Sequence, residues 1–314
     1  MNFSIIITSY KEPATIGNAV SAILEPNIGF FAKNFNKAEL IVVAPDEETL
    51  AAAKQAASKY PINENSFKTI KDNGKGKPAA LNLAIKQAKG KILFLTDGDM
   101  YISENAISEI LPFFNNEEVG GVSGHPASLD ARATMFGYYS HLFCEAAHRQ
   151  RLKNPQIIPM SGYLYAIKNL PELFPIPEEI RAEDAYLSSK IKSLGYKTLY
   201  VPEAMAYVHF PKNFTDWINQ KKRSLGGNVQ LNLAQLTAQS PQINRKPIEK
   251  AARSIKEDLR MALFPLQYAS SIKELLYSIA LYPIRLYLWL VIYYNHKANK
   301  YKSGMWQRIE TSKY

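Results

Sequence analysis

The run Lys91-Ile-Leu-Phe-Leu-Thr-Asp97-Gly-Asp99-Met constrains this chain more than any other stretch. Ile92 to Leu95 is an unbroken apolar segment, too short for a helix. Preceded by Gly90 and followed by Asp97-Gly98-Asp99, it predicts a strand buried on both faces of a parallel sheet. Two carboxylates then stand one residue apart where that strand leaves the core. In open α/β sheets, ligands bind at the carboxyl ends of strands. Two acids held that close repel unless a cation lies between them. A hard divalent ion that also holds a diphosphate is one such cation. The alternative is a polar turn with Gly98 at positive φ, the ordinary meaning of an isolated Asp-x-Asp.

The residues before this run alternate in period. Phe3–Thr8 reads as a strand, and Ile16, Val20 and Leu24 give helical spacing over 13–24. Residues 40–44 are a second buried strand, 47–60 an Ala-rich helix and 67–70 a short third strand. Residues 78–89 are a helix with Pro78 at its start, where a missing N–H does no harm. Repeated β-α units predict an α/β fold: a mainly parallel sheet with helices on both faces. Three polar loops then gather at one edge: Thr8 to Glu12, Pro45 to Thr49, and Asp97 to Asp99. Together they describe a nucleotide pocket with acidic groups. Between them lies Asp72-Asn-Gly-Lys75-Gly-Lys77-Pro-Ala-Ala-Leu-Asn82. Gly and Lys ahead of a helix suit phosphate binding through amides and a cation, and a solvated basic turn fits the same residues. It is not a Walker loop, because Pro78 follows Lys77.

Taken in order, Tyr10-Lys11-Glu12, the strand leading to Asp46, Gly76-Lys77-x-x-Ala80-Leu81-Asn82 and Asp97-Gly98-Asp99 resemble the successive motifs of family-2 glycosyltransferases, which have the GT-A fold. The second half continues the resemblance. Met160-Ser161-Gly162 is similar to the family's Ser/Thr-Gly segment before a strand, and Arg181-Ala-Glu183-Asp184 to its Glu-Asp motif. Leu187, Ile191 and Leu194 place both acids in a helix's first turn, where the dipole alone stabilises carboxylates. Gln220-Lys-Lys-Arg223-Ser224 is similar to the family's Gln-x-x-Arg-Trp motif and departs from it at Ser224. That departure weighs against processive polymer synthesis. Gln220 and Arg223 share a helix face, which with Lys221 and Lys222 also reads as an ordinary basic surface. His209 follows a predicted strand; a lone His there is a packed structural residue or a ligand. In several GT-A enzymes a late His completes the metal site, and imidazole suits Mn²⁺ better than Mg²⁺.

The resemblance implies an inverting transferase that moves a sugar from a UDP- or GDP-sugar to a hydroxyl acceptor, a glycan or a lipid-linked sugar. It assigns Thr8, Tyr10, Glu12 and Asp46 to the nucleoside, and Lys77, Asp97, Gln220 and Arg223 to the rest of the donor. Asp97, Asp99 and His209 become ligands of Mn²⁺ or Mg²⁺. Asp184 becomes the general base, supported by Glu183. A hydroxyl acceptor needs a base, whereas an ionised phosphate does not. A sugar-nucleotide pyrophosphorylase would want a Gly-rich basic loop after the first strand, and Thr8-Ser-Tyr-Lys-Glu12 is not one. A non-enzymatic basic membrane- or nucleic-acid-binding protein leaves the ordered acidic loops unexplained.

Charge separates two regions. Residues 241–314 hold 13 Lys and Arg against 5 Asp and Glu, so +8 of the net +10 lies there. We expect a GT-A domain at 1–240 and a basic, apolar helical tail at 241–314. Residues 241–245 read as a linker. Apolar residues from Ile248 to Leu266 recur every three or four positions among Lys250, Arg253, Lys256 and Arg260, a basic amphipathic helix. Residues 275–294 are long enough to cross a bilayer. Pro283 is expected to interrupt that helix, and Arg285 would sit near the bilayer centre. The many Tyr and Trp residues favour a helix lying in the interface, with packing on the body as a further option. Met305-Trp306 resembles the Trp-containing segments that close some membrane-associated members of the family. The single Cys144 suits a reducing compartment, and Phe3–Thr8 directly after Met1 reads as a core strand and not as a leader. The expected setting is cytoplasmic, peripheral or monotopic on the inner face of the cell membrane, with no nucleic acid partner.

Overall fold

The computed structural model describes residues 2–33, 37–62, 64–154, 159–237, 261–297 and 310–312. Its strands are β1 (Phe3–Thr8), β2 (Ala38–Ala44), β3 (Phe67–Lys71), β4 (Ile92–Asp97), β5 (Met100–Ile102), β6 (Val119–Ser128), β7 (Leu164–Lys168) and β8 (Lys197–Val208). Among the described residues they form one sheet in the order β3-β2-β1-β4-β7-β6-β8-β5. The first half is wholly parallel, as the alternating pattern predicts. Its strands are buried along their length because α1 (Ile16–Lys33) and α2 (Glu47–Ala57) cover one face and α3 (Lys77–Gln87) the other. Alternate residues divide accordingly: Ile5 and Ile7 pack toward α1, and Ile6 packs toward Leu81 of α3.

The second half adds antiparallel pairings to a sheet in which four of the seven strand pairings among the described residues are parallel. β7 runs antiparallel to both β4 and β6, β5 runs antiparallel to β8, and only β6 and β8 are parallel. Past β4 the regular β-α alternation lapses, so nothing forces each strand to enter in the same direction. Here the helices are α4 (Ala106–Ile110), α5 (Met135–Lys153), α6 (Glu183–Ser193) and α7 (Phe214–Thr237).

The chain ends on α8 (Phe264–Tyr268) and α9 (Ile272–Lys297). α9 is continuous through Pro283, contrary to the expected break. Pro283 lies on the exposed side, away from the face that packs on the body. One face of α9 packs on the body: Leu281 and Leu288 join Tyr138, Tyr139 and Trp217 in a third apolar cluster. Arg132 clasps Glu274 at 2.7 and 3.0 Å, and Tyr138 Oη lies 2.7 Å from Ser278 Oγ. Arg285 stacks its guanidinium 5.3 Å from the Phe143 ring, so its charge belongs to the docked side. The opposite side carries Leu276, Leu286 and Leu290, each about 60% exposed. The expected linker at 241–245, residues 248–260 of the expected basic amphipathic helix and the Met305-Trp306 segment lie outside the described residues, while 261–263 of that helix form a turn ahead of α8.

β4 enters the sheet at a point of close approach. A Cβ on Gly90 would lie 2.2 Å from the Ser4 nitrogen and 2.4 Å from the Phe3 carbonyl carbon, both backbone atoms that cannot step aside. Gly90→Ala is therefore expected to lower unfolding free energy by about 3 kcal/mol, the upper end of ordinary overpacking costs, in urea melts with an unchanged denaturant slope.

Candidate active site

β1 and β4 lie side by side with Thr8 opposite Asp97, while β2 lies on the far side of β1. The chain therefore diverges between them, which makes this the topological switch point of the sheet. A cavity of about 350 Å³ opens there. Thr8 Oγ1 donates to Asp97 Oδ1 at 2.9 Å, which ties the two strand ends together. Beyond Thr8 the loop turns through Lys11 at φ +55°. Glu12 is buried on the cavity wall and accepts from Ser9 Oγ at 2.6 Å. Tyr10 stands 41% exposed on the same wall.

Asp46 does not line the cavity. Its carboxylate caps α2 through the Thr49 N–H at 2.9 Å and Oγ at 2.6 Å, and accepts the Lys11 N–H at 3.0 Å. It thus holds the loop that carries Tyr10. The polar-turn alternative for Asp97-Gly98-Asp99 required a positive φ at Gly98, and its φ is not positive. Glycine is needed there for space, because a Cβ would lie 2.5 Å from Ser9 Oγ and 3.0 Å from Glu12 Oε2.

The Gly-Lys loop enters α3 through Gly74 at φ +67° and Gly76 at φ +118°, conformations open to glycine. Lys77, the first residue of α3, turns inward. Its Nζ lies 2.8 Å from Asp97 Oδ1 and 2.9 Å from Glu183 Oε1, and donates to the Gly162 carbonyl at 3.2 Å. Burial works against the lysine charge, yet Asp97 and Glu183 outweigh it and hold the Lys77 pKa well above the usual value. Burial also raises the Asp97 pKa, with Lys77 opposing and the Asp99 charge adding.

Glu183 and Asp184 occupy the first turn of α6. Asp184 lies against Gly162, where a Cβ would come within 3.1 Å of Oδ2. Burial pushes its pKa up to about 6, the Glu183 charge adds, and the Ala185 N–H, Lys77 and Arg151 pull the other way. α7 brings Gln220 and Arg223 to the cavity while Trp217 points into the core. His209 reaches the wall from the residue after β8, with Nδ1 3.1 Å from Asp130 Oδ1.

Eleven of the twelve site residues expected from sequence thus share one cavity, Asp46 being the exception. Asp72, Arg181 and Tyr163 also line it. Asp72 ends a strand just as Asp46 does, so the strand-end rule would have found it. Ser312 returns from the far end of the chain to the wall, and no sequence signal announces it. Asp97, Asp99 and His209 supply the oxygen and nitrogen donors that suit Mn²⁺. Among the described residues no three His, Cys, Asp or Glu side chains stand close enough to hold a metal by themselves.

Residues 1–227 match the family model described as glycosyltransferase like family 2. The probable glycosyltransferase YdaM of Bacillus subtilis (strain 168) is 25% identical over 254 residues, covering 78% of this chain and 59% of the relative. The poly-beta-1,6-N-acetyl-D-glucosamine synthase of Staphylococcus aureus (strain COL) is 24% identical over 235 residues, covering 71% and 54%. The chain therefore spans little more than half the length of these curated relatives. A solved structure of the mannosyltransferase PcManGT from Pyrobaculum calidifontis, in complex with GDP-Man and Mn²⁺, superposes with a TM-score of 0.59 at 22% identity, covering 92% of this chain and 80% of that one. At that identity the likeness shows the fold, the GT-A fold expected above.

Replacing Lys77 by Met would leave Asp97 and Glu183 facing each other without their shared cation. Lys77→Met is expected to cost roughly 3 kcal/mol at pH 7, the loss typical of a buried pair deprived of one partner. Urea melts at pH 7 and pH 5 would check this, the deficit shrinking at the lower pH as a carboxylate takes up a proton.

Proposed function

The chain belongs to glycosyltransferase-like family 2, and from that premise we propose that it moves a sugar from a nucleoside-diphosphate donor to a hydroxyl of a glycan or lipid-linked sugar, with inversion. One observation carries this reading: Asp99, Arg223, His209 and Asp184 share a single cavity at the switch point of the sheet. The nucleoside lies against Thr8, Tyr10 and Glu12, on the loop that Asp46 holds in place. Arg223 and Gln220 meet the diphosphate, Arg through the fork of its guanidinium. Asp99 and His209, with Asp97 beside them, would hold Mn²⁺ or Mg²⁺, which neutralises charge on the leaving diphosphate. The GDP-Man and Mn²⁺ bound by the Pyrobaculum mannosyltransferase support this donor class. Lys77, already committed to Asp97 and Glu183, sets the distance between the donor side and the acceptor side.

Asp184 takes the proton of the acceptor hydroxyl as its oxygen attacks the anomeric carbon. The new bond forms opposite the bond to the departing diphosphate, so configuration inverts. Glu183, fixed by Lys77, steadies Asp184 from the adjacent position. The tail, residues 241–314, we assign to the inner membrane surface. The exposed face of α9 supports this: apolar Leu276, Leu286 and Leu290, bordered by Tyr287, Tyr293 and Tyr294.

A donor screen with Mn²⁺, scoring UDP or GDP release, tests the activity. Asp184→Asn is expected to keep nucleotide binding and lose transfer by ~10²-fold or more. Asp184 must be ionised to accept a proton, so kcat/KM of the parent enzyme falls as pH drops through about 6. Transfer by the Asn variant at the parental rate would remove Asp184 as the base. For the membrane assignment, Leu286→Glu with Leu290→Glu should cut cosedimentation with anionic liposomes roughly tenfold while leaving donor hydrolysis unchanged.

A further inference from the structure

β6 and β8 run parallel and end side by side, with Ser128 opposite Val208. Asp130 stands two residues past the first end and His209 one residue past the second. The Asp130 side chain is 7% exposed, and each of its oxygens is engaged. Oδ2 accepts the Phe210 N–H at 2.8 Å and faces Ser128 Oγ at 3.5 Å. Oδ1 faces His209 Nδ1 at 3.1 Å. Asp130 is itself anchored: its N–H donates to Ser128 Oγ at 3.1 Å and its carbonyl lies 2.8 Å from His141 Nε2. A carboxylate can only accept, so the proton of a neutral His209 ring is drawn to Nδ1. The other nitrogen, Nε2, then keeps its lone pair on a ring that lines the cavity with Asp99.

We propose that Asp130 is a positioning residue for metal binding: it fixes both the tautomer and the orientation of His209 so that Nε2 can ligate the divalent ion on the donor diphosphate. This inference rests on the function proposed above and extends it to a residue that touches neither donor nor ion. Ligating histidines commonly hold their second nitrogen against such a carboxylate, and loss of that partner weakens metal affinity about 10–100-fold. Asp130→Asn is the sharp test because it keeps the shape. The backbone N–H of Phe210 requires an oxygen, which turns the amide NH₂ toward His209. The imidazole Nδ1 must then accept, and its proton moves to Nε2, the nitrogen meant for the metal.

The experiment titrates Mn²⁺ into the full chain in the presence of UDP and, separately, GDP, for the parent, Asp130→Asn, His209→Ala and the double variant. Calorimetry reads affinity, and ¹⁵N shifts of labelled histidine read the tautomer in the metal-free protein. The expected result is about a 10–100-fold loss for each single variant and no further loss in the double. Nucleotide binding in EDTA and metal-free melting should stay at parental values, and the His209 proton should move from Nδ1 to Nε2 in Asp130→Asn. Parental Mn²⁺ affinity in Asp130→Asn, or losses that add in the double variant, would overturn the proposal while leaving the transferase reading intact. Failure of both nucleotides to promote Mn²⁺ binding in the parent would overturn both.

Discussion

The ammonium of Lys77 holds the site together. It brings a carboxylate at the end of β4 and a carboxylate at the start of α6 within 3 Å of one half-buried charge. Without it the two carboxylates would face each other with no cation between them, and like charges so placed repel. The ion pair therefore does more than add stability. It joins the parallel half of the sheet, which presents Thr8, Tyr10 and Glu12, to the mixed half, which presents Asp184 and His209. Its third contact, to the Gly162 carbonyl, places the segment that packs against Asp184.

Around that clamp the carboxylates are sorted by surroundings. Asp184 is pushed toward neutrality by burial and by its neighbour Glu183, which makes it the acid best suited to exchange a proton near pH 6. Asp97 has one oxygen engaged by Lys77 and Thr8. Asp46 is drawn into capping α2, and its low pKa reflects the hydrogen bonds from Thr49 and Lys11, which outweigh partial burial. Similar side chains at similar strand ends thus reach different roles through their partners alone.

The C-terminal helix follows the same logic on a larger scale. Its inner face is satisfied by the aromatic cluster of α5 and α7 and by the Arg132–Glu274 pair. Its outer face is left apolar. Arg285, the charge that weighed against a spanning helix, is turned inward onto Phe143. By length and composition residues 272–295 could cross a membrane, and the packed inner face holds the helix on the body instead.

The parallel half of the fold and the edge where the site lies were legible in the chain itself. Buried runs such as Ile5 to Ile7 and Leu93 to Leu95, glycines at the loop turns, and acids at strand ends are local signals, governed by period and backbone geometry. The family motifs also carry most of the cavity residues, among them Lys77, Asp97, Glu183, Asp184 and Arg223. Contacts between remote segments were not legible. The inward turn of Lys77, the diversion of Asp46 to a helix cap, the pairing of Asp130 with His209 and the docking of α9 each depend on which surfaces meet after folding. Sequence alone determined the first kind of fact because hydrophobic period acts over a few residues. Only tertiary structure decided the second, because a buried charge takes its meaning from whatever neighbour the fold brings to it.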